Sequence, residues 1–292
     1  MPGAATLRDV ATDIARASGV PFRSPRASSV GGGCIHAAVC LDDGARRFFV
    51  KANRAAAHPM FAAEAAGLAA IAATGAVRTP AVVTTGANAA AAWLVLEWID
   101  LDGPADDRRL GTQLAALHRA TGAAFGFDTD NFIGATPQRN DRHADWPTFF
   151  ATQRLGPQAA LAANDGHHAL ASAAERLVER LPCLLAHAPV PALLHGDLWS
   201  GNRGFRTDGA PVLFDPAVYY GDREVDLAMT ALFGGFGPDF LATYRDVAPL
   251  QDGYAMRRDL YNLYHLLNHA HLFGGEYIAQ AARGIDRLLA ET

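Results

Sequence analysis

Lysine is almost missing from this chain of 292 residues: of its 25 basic side chains, 24 are arginine and one is Lys51. On a solvated surface either cation serves, so a chain that writes its cations as arginine draws attention to the one position where it does not. Cysteine is scarce too. Cys34, Cys40 and Cys183 make neither a paired disulfide framework nor a Cys-x-x-Cys metal site, so reduced thiols are expected. A net charge of −5 lacks the basic footprint of a nucleic-acid binder. Arg, Glu and Asp interrupt the alanine-rich stretches before any reaches about 18 uncharged apolar residues, which argues against a membrane span. Residues 1–20 lack a basic segment followed by an apolar one and read as a helix rather than a leader, so a cytoplasmic setting is expected.

What is present is concentrated between His195 and Asp215. The run His195-Gly196-Asp197-Leu198-Trp199-Ser200-Gly201-Asn202 sets Asp197 five residues before Asn202, the Asp-to-Asn spacing of the protein-kinase catalytic loop, and Phe214-Asp215-Pro216 comes after it. Between them, Arg203-Gly204-Phe205, the turn Thr207-Asp208-Gly209 and Val212-Leu213-Phe214 read as a hairpin that would return Asp215 beside Asn202. Phosphoryl transfer is mostly positioning and charge neutralisation, so one carboxylate must accept the proton of the attacking hydroxyl while other oxygens hold a metal. Asp197 suits the first role. Asn202 and Asp215 suit the second, and this oxygen set fits Mg²⁺ rather than a Cys/His-bound ion. The competing reading is an Asx-rich turn whose side chains bond only their own backbone.

Upstream, Gly31-Gly32-Gly33-Cys34 precedes an extended run from Ile35 to Leu41, a turn at Asp42-Asp43-Gly44 and a second strand ending on Lys51. Residues 59–74 then read as a helix carrying one acid, Glu64. A strand lysine paired with a glutamate on the next helix is the device kinases use to hold phosphates, and glycines upstream let backbone amides approach an anion. The triple glycine alone matches neither the Walker pattern nor the spaced kinase loop. Val82-Val83 and Ala92 to Ile99 read as further strands, Asp100 to Pro104 as a hinge, and Leu110, Leu114, Leu117 and His118 as one face of a helix. Strands before about residue 100 and helices after it predict two lobes, 1–99 and 100–292, with the hinge at about 96–103.

These motifs, with Phe49-Val50-Lys51, Leu194 to Asn202, Tyr219-Tyr220-Gly221-Asp222-Arg223-Glu224, Asp226, Phe233 to Phe236 and Tyr261 to His269, resemble the fructosamine kinase, or ketosamine-3-kinase, family over nearly the whole chain. That family lies within the aminoglycoside-phosphotransferase-like, protein-kinase-like superfamily. The resemblance implies an α+β, bilobal fold with an antiparallel sheet lobe and a mainly helical lobe, and ATP-dependent phosphorylation of the 3-hydroxyl of a ketosamine. It implies Asp197 as base, Asn202 and Asp215 as Mg²⁺ ligands, Lys51 and Glu64 as the phosphate-holding pair, and Gly31, Gly32 and Gly33 as the phosphate loop. It also implies that the backbone of Leu96, Glu97 and Trp98 meets adenine, that Asp226 braces the catalytic loop, and that Trp199, His265 and His269 lie at the acceptor. Two positions depart from the family pattern: His36-Ala37-Ala38 replaces polar residues in the phosphate loop, and Arg142 stands where an aromatic is expected.

His265 and His269 share a helix face, but Leu266 occupies the place of the metalloprotease glutamate, so acceptor contact or packing is preferred to zinc. Cys34, in a loop made positive by Lys51 and backbone amides, is a redox candidate. The expected partners are a ketosamine or a glycated amine or protein, with no nucleic acid and no membrane, the chain being a monomer or a redox-linked homodimer. Two other readings remain open at this level: a kinase of the same fold for an aminoglycoside or choline, and a non-catalytic nucleotide-binding, redox-responsive regulator.

Overall fold

The computed structural model describes residues 2–31 and 35–290. Two compact units are present, one comprising the chain up to Asp106 together with Arg203–Pro216, the other Asp107–Asn202 with the chain from Ala217 onward.

The first unit is a five-stranded antiparallel sheet with a helix on each face. Its strands, β1 (Arg26–Ser29), β2 (Ala37–Asp42), β3 (Arg47–Asn53), β4 (Val82–Ala87) and β5 (Ala92–Glu97), run in the order β1-β2-β3-β5-β4. The β2–β3 turn forms because Gly44 takes φ +87° and Asp42 and Asp43 accept hydrogen bonds from the amides of Gly44 and Arg46. Helix α1 (Ala4–Ser18) lays Val10, Ala11 and Ile14 on Val39, Val50, Trp93 and Val95. Helix α2 (His58–Ala73) opens with Pro59, ends before Gly75 at φ +64°, and packs Phe61 and Leu68 on Ala92, Leu94 and Leu96 of the other face. The unbroken apolar run Ala92–Leu96 is explained by this, since both faces of β5 are covered. Including the turn before α2, Ala55–Ala73 is long and apolar enough to cross a membrane by composition. Alanine supplies most of that hydropathy, and its larger apolar side chains Phe61, Leu68 and Ile71 are buried.

The first unit extends past residue 99, where strand composition gives way in the sequence, because main-chain bonds stitch the segment around Gly103 to a later hairpin. Arg203–Phe205 pairs antiparallel with Pro211–Leu213 as expected, and Leu213 N donates to Arg78 O while Gly103 N donates to Phe205 O. A Cβ at Gly103 would collide with the Arg206 carbonyl oxygen. Helices form most of the second unit, around a core that includes Trp146, Phe149, Phe150, Leu177, Tyr219, Tyr261 and Ile285. Among its helices are Asp107–Leu117 (α3), Glu224–Leu232 and Tyr254–Phe273.

Gly103→Ala must displace the hairpin that leads to Asp215, so a loss of about 2 kcal/mol is expected. A lower urea midpoint at unchanged slope checks it.

Candidate active site

Lys51 lies on the α2 face of the sheet, opposite Leu94 in register, and is buried to 6 % exposure. Its ammonium donates to Glu64 Oε1 at 2.8 Å and to Asp215 Oδ1 at 2.5 Å. A desolvated lysine tends to lose its proton, yet the charges of Glu64 and Asp215 outweigh burial and hold Lys51 above its ordinary range. Burial pushes the Glu64 carboxyl up against the pull of Lys51. One cation therefore faces two carboxylates, a surplus of negative charge that a further cation would relieve. Asp215 sits at φ +58°, a left-handed conformation that aspartate tolerates better than most residues and that costs on the order of 1 kcal/mol.

In the second unit the loop after Ala192–Leu194 is fixed by a buried carboxylate. Asp226 on the helix Glu224–Leu232 accepts the amides of His195 at 2.7 Å and Gly196 at 2.8 Å, and His118 Nε2 donates to it at 3.1 Å. Burial alone would raise its pKa, but His118, the His195 charge and the Gly196 amide together hold it below the usual carboxylate range. His118, at the end of α3, is itself held by the Tyr244 hydroxyl at 2.7 Å, which fixes the ring's direction. Gly196 adopts φ +82° with the Ala217 oxygen standing against the place a Cβ would take, so no other residue fits. Two residues beyond the braced His195, Asp197 is tied to Asn202: the Asn202 amide donates to the Asp197 carbonyl at 2.8 Å and to its Oδ2 at 3.1 Å.

Trp199 is 39 % exposed, its ring lying over Gly201 and edge-on to Phe233. His269 packs beside Phe233 and donates from Nδ1 to the His265 carbonyl at 2.7 Å. His265 is 1 % exposed, with neither ring nitrogen bonded among the described residues, and burial lowers its pKa to about 3. It is therefore neutral and placed for packing, whereas His269 is only half-buried. A third cluster, His187, Asp222 and Glu224, is close enough to hold a metal. Its oxygens are already engaged: Asp222 accepts from His187 and Tyr261, and Glu224 accepts two bonds from Arg257.

A sequence model of the fructosamine kinase family matches residues 6–291. The chain belongs to the fructosamine kinase family. It is 48 % identical over 289 residues to a "Probable ketoamine kinase" of Synechocystis, covering 98 % of this chain and 97 % of that protein. The chloroplastic protein-ribulosamine 3-kinase of Oryza sativa subsp. indica is 42 % identical over 268 residues, 90 % of this chain and 78 % of that one. Among solved structures, the "Putative fructosamine-3-kinase" of Haemophilus somnus superposes with a TM-score of 0.88 at 28 % identity over 96 % of both chains. Aminoglycoside phosphotransferase APH(4)-Ia, at 16 % identity and a TM-score of 0.61 over 99 % of both, shares the fold. The bilobal α+β kinase-like class read from the sequence is the one observed.

Of the residues singled out in the sequence, Lys51, Glu64 and Asp215 meet in one unit, and Asp197 and Asn202 meet in the other. Leu96 is a core residue of β5, Glu97 pairs with Arg78, and the Trp98 indole donates to Asp100. Gly31 is exposed and has open space around its Cα, while Gly32, Gly33 and Cys34 lie outside the described residues. His118 was legible only as part of a helix face. A polar residue closing the Leu110-Leu114-Leu117 stripe was the available signal, since a buried imidazole needs a partner.

Asp226→Asn leaves one buried amide facing an NH₂ group and should cost about 2–3 kcal/mol at neutral pH. Because the folded-state pKa of Asp226 is depressed, its contribution is complete above the unfolded value near pH 4 and is lost as pH falls through the folded one. The wild-type advantage over Asp226→Asn should therefore shrink on acidification below about pH 4, as read by denaturation at a series of pH values.

Proposed function

We propose that this chain transfers the γ-phosphoryl group of ATP to the 3-hydroxyl of a ketosamine. The observation that carries the reading is that a member of the fructosamine kinase family keeps its single lysine buried between Glu64 and Asp215. Membership of the family supports the acceptor class; the charge arrangement supports an active nucleotide site. In this reading Lys51 holds the phosphates of the nucleotide, oriented by Glu64. Asp197 receives the proton of the attacking hydroxyl, and Asn202 donating to its Oδ2 aims the carboxylate. Asn202 and Asp215 are the residues that would hold Mg²⁺, which supplies charge neutralisation on the transferred group. The surplus carboxylate around Lys51 and the oxygen-only donor set both suit that ion. The backbone of Leu96–Trp98 serves adenine, and Trp199 and His269 serve the acceptor. We place the enzyme in the cytoplasm, acting on free or protein-bound ketosamines.

The consequence for the acceptor lies in its chemistry. When carbon 1 loses a proton and the carbon-2 carbonyl enolises, a phosphate on carbon 3 becomes allylic to the enaminol; its departure as inorganic phosphate leaves an iminium at carbon 1, and water hydrolyses that to release the amine. Phosphorylation is then the committing step in deglycation.

The test offers ATP, Mg²⁺ and a panel of fructosyl-, ribulosyl- and erythrulosyl-amines beside an aminoglycoside and choline, with phosphorus NMR locating the product phosphate. A ketosamine 3-phosphate is expected; transfer confined to the aminoglycoside or choline would overturn the reading. Asp197→Asn should lower kcat by about 10²–10⁴ while nucleotide binding persists. Lys51→Arg keeps the positive charge but should weaken nucleotide binding by about tenfold or more, because a planar guanidinium does not replace a compact ammonium between two carboxylates. Calorimetric titration with a non-hydrolysable ATP analogue reads both variants.

A further inference from the structure

His36 follows the glycine cluster by three residues, and its surroundings specify its protonation. Ala38 pairs with Lys51 in the β2–β3 register, which sets His36 across from Asn53. The Asn53 side chain is oriented unambiguously, because its Oδ1 accepts the Arg54 amide at 2.7 Å. Its Nδ2 therefore faces the other way, donating to Ile35 O at 3.1 Å and meeting His36 Nδ1 at 2.9 Å. An amide NH₂ has no lone pair to offer, so Nδ1 must be the acceptor and Nε2 carries the proton. Among the described residues, no protein group accepts from Nε2.

The ring also stands in the field of the nucleotide-holding charges. It packs on Phe61 at 4.7 Å, one turn of α2 before Glu64, so His36 and Lys51 rest on neighbouring positions of one helix face. Burial, then the Lys51 charge, opposed by Asp215, lowers its pKa to about 4. A second full cation beside Lys51 is thereby avoided. What remains is a neutral N–H donor beside an ammonium, a combination that suits a polyanion's oxygens.

We infer that His36 is a phosphate-positioning residue whose Nε2–H donates to an oxygen of the nucleotide's β- or γ-phosphate. This rests on the kinase reading above. Asn53 acts behind it, holding the tautomer that makes the ring a donor. The imidazole next to the glycine cluster is in this way anchored by an asparagine of β3.

Titration calorimetry with AMP and with the β,γ-imido analogue of ATP, each with Mg²⁺, separates the outcomes. His36→Phe keeps a ring on Phe61 but has no donor, and should weaken the analogue about tenfold while weakening AMP much less. His36→Gln restores an N–H and should recover most of the loss. Equal weakening of both nucleotides by His36→Phe, or none, would overturn the inference. So would a ¹⁵N-histidine spectrum in which the resonances lost in His36→Phe belong to an Nδ1-protonated ring. Failure of the wild-type protein to bind the analogue at all would instead bring down the kinase reading, and this inference with it.

Discussion

A desolvated ammonium cannot be left alone, and much of the first unit is arranged around that constraint. Lys51 comes from β3, Glu64 from α2 and Asp215 from the end of a hairpin, 164 residues after Lys51. An unpaired charge at this depth would cost several kcal/mol, so this interaction holds the three segments in mutual position. The stitching of Gly103 and Arg78 to the hairpin strands serves the same end, since it fixes the strand that delivers Asp215. Stability and function are here one arrangement: the carboxylates that make the lysine tolerable also leave it charged.

The second unit solves the opposite problem with the same logic. Asp226 is a buried anion, and its partners are the amides of the loop that carries Asp197, together with His118. The left-handed turn at Gly196 presents those amides to the carboxylate, and the close approach of Ala217 leaves glycine as the residue that fits. Both units thus fix a candidate site segment by burying one charge and satisfying it from elements distant in sequence. A hydrogen-bonded buried charge tolerates little displacement, which is what a transfer reaction between oxygens a few ångströms apart demands.

How legible this was depends on the length scale of each interaction. The β2–β3 hairpin, α2 and the hairpin from Arg203 are written in local signals: Asp-Asp-Gly, a proline near a helix start, Asp-Gly between short apolar runs. The ion pair of Lys51 with Glu64 was readable too, because a single lysine in an arginine-writing chain stands out. Assignment of Arg203–Pro216 to the first unit was not, since it depends on main-chain bonds to residues 78 and 103 that carry no side-chain signature. His36 is visible in the sequence beside the glycine cluster, but its tautomer depends on the orientation of Asn53, which is set by a bond to the backbone of the next residue. His265 illustrates the reverse case. Its i, i+4 spacing from His269 leaves acceptor contact and packing both open in the sequence, and burial favours packing.

The scarcity of lysine has one further meaning for a protein of this family. Ketosamines arise when an unprotonated primary amine adds to the open-chain carbonyl of a sugar and the adduct rearranges. Arginine, whose guanidinium stays protonated throughout the physiological range, does not take that route. Here the only side-chain amine is 6 % exposed, and its two carboxylate partners keep it charged. A catalyst that works among reducing sugars and their adducts has, in its side chains, almost no surface on which its own target lesion can form.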